Sequence, residues 1–144
     1  MIQVEKSVQI NRPVAEVFAF VTNSDNTTKW QIGVEAVQPG EGPANTVGSR
    51  YSEVRKFMGQ EMKTTLEITA FETNAKWSAK VVKGPVPYEI ASTFEASGAG
   101  TKMTTRVEGE PSGFFKVAQG MVSSQLEKNI EESGQRLKEL LEAA

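Results

Sequence analysis

The sequence predicts an α+β fold in which an antiparallel run of strands wraps around one long C-terminal helix. Three observations carry that reading. Phe114, Ala118, Val122, Leu126, Ile130, Leu137 and Leu141 recur at threes and fours, which places them on one stripe of a helix. From residue 48 to residue 108 the chain alternates apolar and polar side chains, interrupted by turn formers. A proline-led apolar segment, Pro13 to Val21, separates a first strand from the rest.

The first strand is residues 2–10, with Ile2, Val4, Val8 and Ile10 on one side and Gln3, Glu5, Ser7 and Gln9 on the other. Lys6 breaks the apolar set and reads as a snorkelling side chain near a sheet edge. Asn11-Arg12-Pro13 ends the strand and opens a helix whose Val14, Val17, Phe18 and Val21 face inward. Thr22 to Gln31 predicts a short second helix or turn with Ser24-Asp25 as its cap. Trp30, at its end, reads as a packing residue, with a cavity-lining role as the alternative. Ile32 to Val37 predicts a short strand, and the stretch from Gln38 to Asn45 is a loop rich in glycine and proline. Its glycines do not lead from a strand into a helix at phosphate-binding spacing, so no nucleotide role follows.

Hairpins follow. Ser49 to Phe57 is one strand, Met58-Gly59-Gln60 its turn and Glu61 to Phe71 the next, with Met62, Thr64, Leu66, Ile68 and Ala70 on one face. Lys76 to Val82 alternates Trp77, Ala79 and Val81 with polar residues. Tyr88, Ile90, Ser92 and Phe94 share a face of the following strand, and Met103, Thr105 and Val107 share one of the last. Tight turns between such strands argue for a meandering antiparallel sheet, solvated on one side.

The terminal helix is expected to run unbroken from Pro111-Ser112-Gly113 to about Glu142, roughly 45 Å at 1.5 Å per residue. A helix of that length is rarely stable alone, so the strands must cover its stripe. Gly120 and Gly134 interrupt it, and Gly120, on the outer side, predicts a bend. Gln125, Asn129 and Ser133 border the stripe, either solvated or reaching into an interior space.

Composition narrows the function classes. The 144 residues suit a single domain spanning 1–144, and 38% hydrophobic with 24% charged residues fits a globular chain. Sixteen basic against eighteen acidic residues give a formal charge of −2, which offers no field for nucleic acid. No apolar run reaches bilayer length, so no stable membrane insertion is expected, and the N-terminus lacks a signal-peptide apolar region. Cytoplasmic residence is the default expectation. The chain has neither cysteine nor histidine. Thiolate nucleophiles, the usual triads and the usual zinc ligands are therefore excluded, and no metal or other cofactor is expected.

The inward faces of the strands carry Thr64, Ala79, Ser92 and Thr105 among larger residues. Small and hydroxylated groups facing a helix leave room for a ligand, or else bond locally to backbone and tolerate burial. On the strand Ser49–Phe57, Tyr51, Glu53, Arg55 and Phe57 share one face. If that face points inward, Glu53 and Arg55 pair beside a pocket with Tyr51 next to them; if not, this is a solvated edge strand. The candidate ligand-binding set is Tyr51, Arg55, Phe57, Met62, Thr64, Leu66, Trp77, Ala79, Tyr88, Ile90, Ser92, Phe94, Met103 and Thr105 from the strands. Phe114, Phe115, Ala118, Met121 and Val122 complete it from the helix. Candidates for proton movement are Tyr51, Glu53, Arg55 and Tyr88.

The order strand, helix pair, meander, long helix appears together with Ile10-Asn11-Arg12-Pro13-Val14-Ala15-Glu16-Val17-Phe18-Ala19-Phe20-Val21-Thr22-Asn23 and Trp30. In this combination the chain resembles the START-like (SRPBCC) superfamily, in particular its polyketide cyclase/dehydrase and lipid-transport-like branch. The resemblance implies a helix-grip fold: a curved antiparallel sheet gripping the last helix around a deep, mostly apolar cavity. It implies no shared catalytic motif, and the absence of histidine and cysteine sets this chain apart from metal-dependent relatives. Fold is fixed better than function by such a likeness. Three functions follow: binding or transport of a small hydrophobic or amphipathic ligand (lipid, aromatic or polyketide-like), a cyclase, dehydratase or isomerase on an aromatic or polyketide substrate, and a protein-interaction module. Neither the ligand nor the oligomeric state is legible.

Overall fold

The structure, a computed structural model, describes residues 1–111 and 114–143, with the side chains of Phe114 and Phe115 outside that description. The elements are β1 (Ile2–Ile10), α1 (Val14–Thr22), α2 (Thr27–Trp30), β2 (Val34–Pro39), β3 (Arg50–Phe57), β4 (Gln60–Glu72), β5 (Lys76–Lys83), β6 (Tyr88–Ser97), β7 (Gly100–Gly109), α3 (Phe114–Val117) and α4 (Gln119–Glu142). Among the described residues the seven strands form one antiparallel sheet in the order β1-β7-β6-β5-β4-β3-β2. Strands β2 to β7 pair with their neighbours in sequence, and β1 returns to the edge beside β7, Ile2 opposite Gly109 and Ile10 opposite Thr101.

The sheet bends where its pairing slips. The thirteen-residue β4 shifts register against β5 between Thr65 and Leu66 and again between Ile68 and Ala70, and β2 shifts against β3 between Val34 and Ala36. Each extra residue on one strand increases local twist and curls the ladder. The β3–β4 hairpin turns on Met58 and Gly59, both at positive φ (51° and 78°), as a two-residue turn with the twist of the strands requires. Gln60, expected in that turn, is the first residue of β4.

Helix α4 packs along β1 and touches α2. Its buried residues Val122, Gly134, Leu137 and Leu141 follow the expected stripe. Gly134 brings α4 close to β1, and a Cβ on it would lie 3.4 Å from Val8, at the near limit of ordinary contact. The far end of α4 is tied to the β1–α1 junction. Arg12 donates from Nε to the Leu141 carbonyl at 2.8 Å, and the Asn11 N–H donates to Glu142 Oε2 at 2.9 Å. A cation on the last carbonyls satisfies acceptors that a helix end leaves open.

Two expectations require correction. The terminal segment is not one helix: α3 and α4 meet at Ala118, whose φ of −98° and ψ of 29° depart from helical values. The break falls two residues before Gly120, the predicted bend; Ser112 and Gly113, the predicted start, lie outside the described residues. The cap of the segment after α1 is Asn23, not Ser24-Asp25: its Oδ1 accepts from the Asp25 N–H at 3.1 Å and starts a single 3-10 turn over Ser24–Asn26.

The interior divides into two apolar clusters. One sits under α1, with Ile10, Val17, Phe18, Trp30, Phe94, Met103, Leu137 and Leu141. Its aromatic centre is Phe18, edge-on to Phe71 and Phe94 at ring distances of 5.2 and 5.1 Å. The other lies toward α3 and contains Ile2, Val4, Phe57, Met62 and Val122.

Candidate functional site

A cavity of about 250 Å³ lies between the concave face of the sheet and α4, with wall residues from both clusters. Its apolar wall comes from Ile2 and Val8 of β1, Phe57 and Met62 of the β3–β4 hairpin, Ile90 of β6, Met103 and Val107 of β7, and Val122, Leu126 and Ile130 of α4. Trp30 and Ile32 close the side next to α2, and Val86 and Pro111 line it as well. A mostly apolar wall with a few fixed polar groups is the usual make-up of a small-molecule site.

The polar groups are held, not loose. Strand β3 points Tyr51, Glu53, Arg55 and Phe57 inward, and Glu53 is 6% exposed. Arg55 Nε donates to Glu53 Oε1 at 3.2 Å, and Arg55 Nη2 donates to Gln31 Oε1 at 3.0 Å. Tyr88 Oη donates to the same Glu53 oxygen at 3.0 Å. The carboxylate thus sits behind the wall and orients two side chains, Arg55 and Tyr88, that are part of it. Burial works most strongly against the Arg55 charge, but Glu53, together with Tyr88 and Tyr51, more than offsets it and the guanidinium stays protonated. Burial first, then the Glu53 charge, pushes the Tyr51 and Tyr88 phenols well above their usual range. Both remain neutral donors near neutral pH.

At the opposite edge Lys6 Nζ lies 2.7 Å from Glu127 and 2.7 Å from Glu131 of α4, clamping helix to strand. Hydrogen bonds to these carboxylates push the ammonium up to about 12. Lys6 does lie on an edge strand, and its head group is partly exposed as a snorkelling side chain should be while pairing with two carboxylates of α4. Ser92 Oγ and Thr105 Oγ1, both buried, lie 3.4 Å apart in the wall. Asn129 accepts from Gln125 Nε2 at 2.8 Å, and Ser133 Oγ accepts from the Ile32 N–H at 2.9 Å, joining α4 to the α2–β2 connection.

The sequence-derived residues therefore separate. Arg55, Phe57, Met62, Tyr88, Ile90, Ser92, Met103, Thr105 and Val122 line the cavity. Tyr51, Thr64, Leu66, Trp77, Ala79, Phe94 and Ala118 are not in its wall. Leu66 and Ala79 are buried in the sheet, Phe94 belongs to the cluster under α1, and Tyr51 stands 6.5 Å from the Trp77 ring. Met121 faces outward at 66% exposure, on the side of α4 away from the stripe that buries its neighbour Val122. Phe114 and Phe115 lie where side chains are outside the description. Pattern reading missed the contributions of β1 (Ile2, Lys6, Val8) and of Gln31 and Ile32, whereas Trp30, read as packing with cavity lining as the alternative, does both. The alternation of β1 had identified its inward face, so only the position of that face over the cavity was hidden.

The model of the family described as polyketide cyclase / dehydrase and lipid transport matches residues 1–142. The chain belongs to that family. Its architecture is the helix-grip fold of the START-like superfamily. A START superfamily protein from Mycobacterium smegmatis superposes with a TM-score of 0.82 at 13% identity, covering 99% of each chain. TTHA0849 from Thermus thermophilus gives 0.75 at 17% identity, over 94% of this chain and 96% of that one. DynU16, from the dynemicin biosynthetic locus, gives 0.70 at 18% identity and is matched over 48% of its length by 99% of this chain. No curated protein matches the sequence. Identities this low speak for the fold alone. No helix of the described residues is long and apolar enough to cross a membrane.

Proposed function

We propose that this family member binds a small hydrophobic or amphipathic molecule in the space between its sheet and α4. The supporting observation is a cavity whose apolar wall is interrupted by Arg55 and Tyr88, both oriented by one buried carboxylate. Burial of apolar ligand surface supplies affinity at about 25 cal/mol per Å², and the fixed polar groups select orientation. A volume of about 250 Å³ lies just under the ~300–1,000 Å³ usual for such sites and favours a compact ring compound over a long acyl chain. The near-balanced charge of the chain supports a small molecule, not nucleic acid, as the partner.

Native mass spectrometry of the purified protein, incubated with a panel of lipids and one- to three-ring aromatics, tests this. One ligand per chain, displaced by a second apolar compound, is the expected result. Absence of uptake across the whole panel overturns the reading.

A cyclase, dehydratase or isomerase is the second reading, and one observation favours it. Tyr88 lines the cavity as a phenol kept protonated by burial and by Glu53; its single O–H is held by Glu53 and, turned from that carboxylate, would donate to a developing oxyanion, with Arg55 beside the same carboxylate. The Tyr88→Phe protein should then retain ligand binding and lose turnover.

A further inference from the structure

Hydrogen-bond capacity in the cavity wall is unevenly used. Trp30 lines the cavity at 5% exposure, and its indole N–H finds no acceptor among the described residues. A tryptophan nitrogen can only donate. Arg55 spends Nε on Glu53 and one N–H of Nη2 on Gln31, which leaves the two N–H groups of Nη1 without an acceptor among the described residues. Gln31 uses its carbonyl oxygen on Arg55, so its amide N–H groups are likewise unspent. Trp30, Gln31 and Arg55 all belong to the cavity wall, and Gln31 bridges the other two, by sequence to Trp30 and by hydrogen bond to Arg55.

Charge on the same wall is already balanced. The two cations are Arg55 and Lys6; Glu53 takes the first, and Glu127 and Glu131 together take the second. Three carboxylates hold two cations. An incoming carboxylate would therefore be desolvated with no uncompensated cation to meet it, which is costly. An incoming ammonium would face donors and find its potential acceptors already engaged. A neutral oxygen acceptor meets neither penalty, satisfies the Trp30 N–H that is otherwise buried unpaired, and adds an acceptor for the partly exposed donors of Arg55 and Gln31.

Building on the proposed ligand cavity, we infer that its occupant is a neutral carbonyl compound with an apolar ring body, its oxygen received by the unspent donors of Trp30, Gln31 and Arg55. The site selects against the carboxylate of the same shape.

Isothermal titration of the intact protein with acetylnaphthalene, ethylnaphthalene and naphthoate tests this, because the three share a ring body and differ in the group offered. Acetylnaphthalene should bind roughly tenfold tighter than ethylnaphthalene, as one gained hydrogen bond provides, with naphthoate the weakest. In Trp30→Phe, which removes the N–H and keeps an aromatic ring, the ratio of acetyl- to ethylnaphthalene affinity should fall toward one, whatever change the two compounds share. Equal binding of the acetyl and ethyl compounds to the unsubstituted protein, or tightest binding of naphthoate, overturns the inference and leaves the cavity reading standing. No heat with any of the three overturns both.

Discussion

Tyr88 Oη and Glu53 Oε1 meet at 3.0 Å although β4 and β5 lie between their strands. The bond is a chord across the concave side of the sheet and exists only because the sheet curls. Its acceptor is shared with Arg55 at 3.2 Å. Glu53→Ala should lose about 3 kcal/mol by leaving a largely buried guanidinium without its partner. Tyr88→Phe should lose about 1.5 kcal/mol, the scale of a hydrogen bond to a charged group. Urea denaturation of both and of the double variant measures this. The double variant should fall short of the sum by about 1 kcal/mol, because both side chains act on one carboxylate.

The chain's two tyrosines, Tyr51 and Tyr88, are held protonated first by burial and then by the Glu53 charge, above the usual value of 10.0. In the folded protein, tyrosinate absorbance should be absent at a pH near 11, where unfolded tyrosine, with pKa about 10, is mostly ionised. The sign for stability follows. Both folded values lie above the unfolded ones, so the contribution is complete below about pH 10 and is lost as pH rises further. Lys6, raised from 10.5 to about 12, adds to the same alkaline loss. Melting temperature should therefore decline from about pH 10 upward, and a normal tyrosine titration with the fold intact would contradict the burial of both phenols.

Two helix glycines should respond in opposite directions. Gly120 is exposed and a Cβ there meets nothing within 4 Å, so Gly120→Ala should stabilise by about 0.5–1 kcal/mol. Gly134 lies against Val8, so Gly134→Leu would wedge α4 away from β1 and cost about 2–3 kcal/mol. Thermal melts of the two variants compare them directly.

Ser92 is 3% exposed and lines the cavity. Ser92→Leu should fill part of the space, lower affinity for apolar ligands about tenfold or more, and change stability by about 1 kcal/mol or less. Ligand titration beside a melt of the same variant separates filling from unfolding.

Periodicity located most of the strands, because their inward faces alternate: Ile2 to Ile10, broken by Lys6, and Met62 to Ile68 are clear in the sequence and largely buried in the structure, whereas the strand expected at residues 32–37 is Val34–Pro39. It also paired Glu53 with Arg55 once their face was taken as inward. Periodicity does not report how far a sheet curls. Tyr88 therefore could not be joined to Glu53 from β6 and β3 separately. Ala79 and Thr64 read as room for a ligand yet lie outside the cavity wall, since small side chains also serve simple burial. The helix break was hidden for a related reason. Ala118 is a good helix former, so its non-helical ψ of 29° is not what propensity dictates.

The pairing of β1 with β7, Ile2 to Gly109 and Ile10 to Thr101, has a consequence for how the chain comes off the ribosome. Strand β1 is made before the other six strands of the sheet and has no neighbour to join until β7, the last of them, and α4, which leans on it, emerges later still. Contacts so distant in sequence make closure slow and late. The nascent protein carries Ile2, Val4, Val8 and Ile10 uncovered for most of its synthesis, a stretch in which a chaperone has more to protect than at any later time.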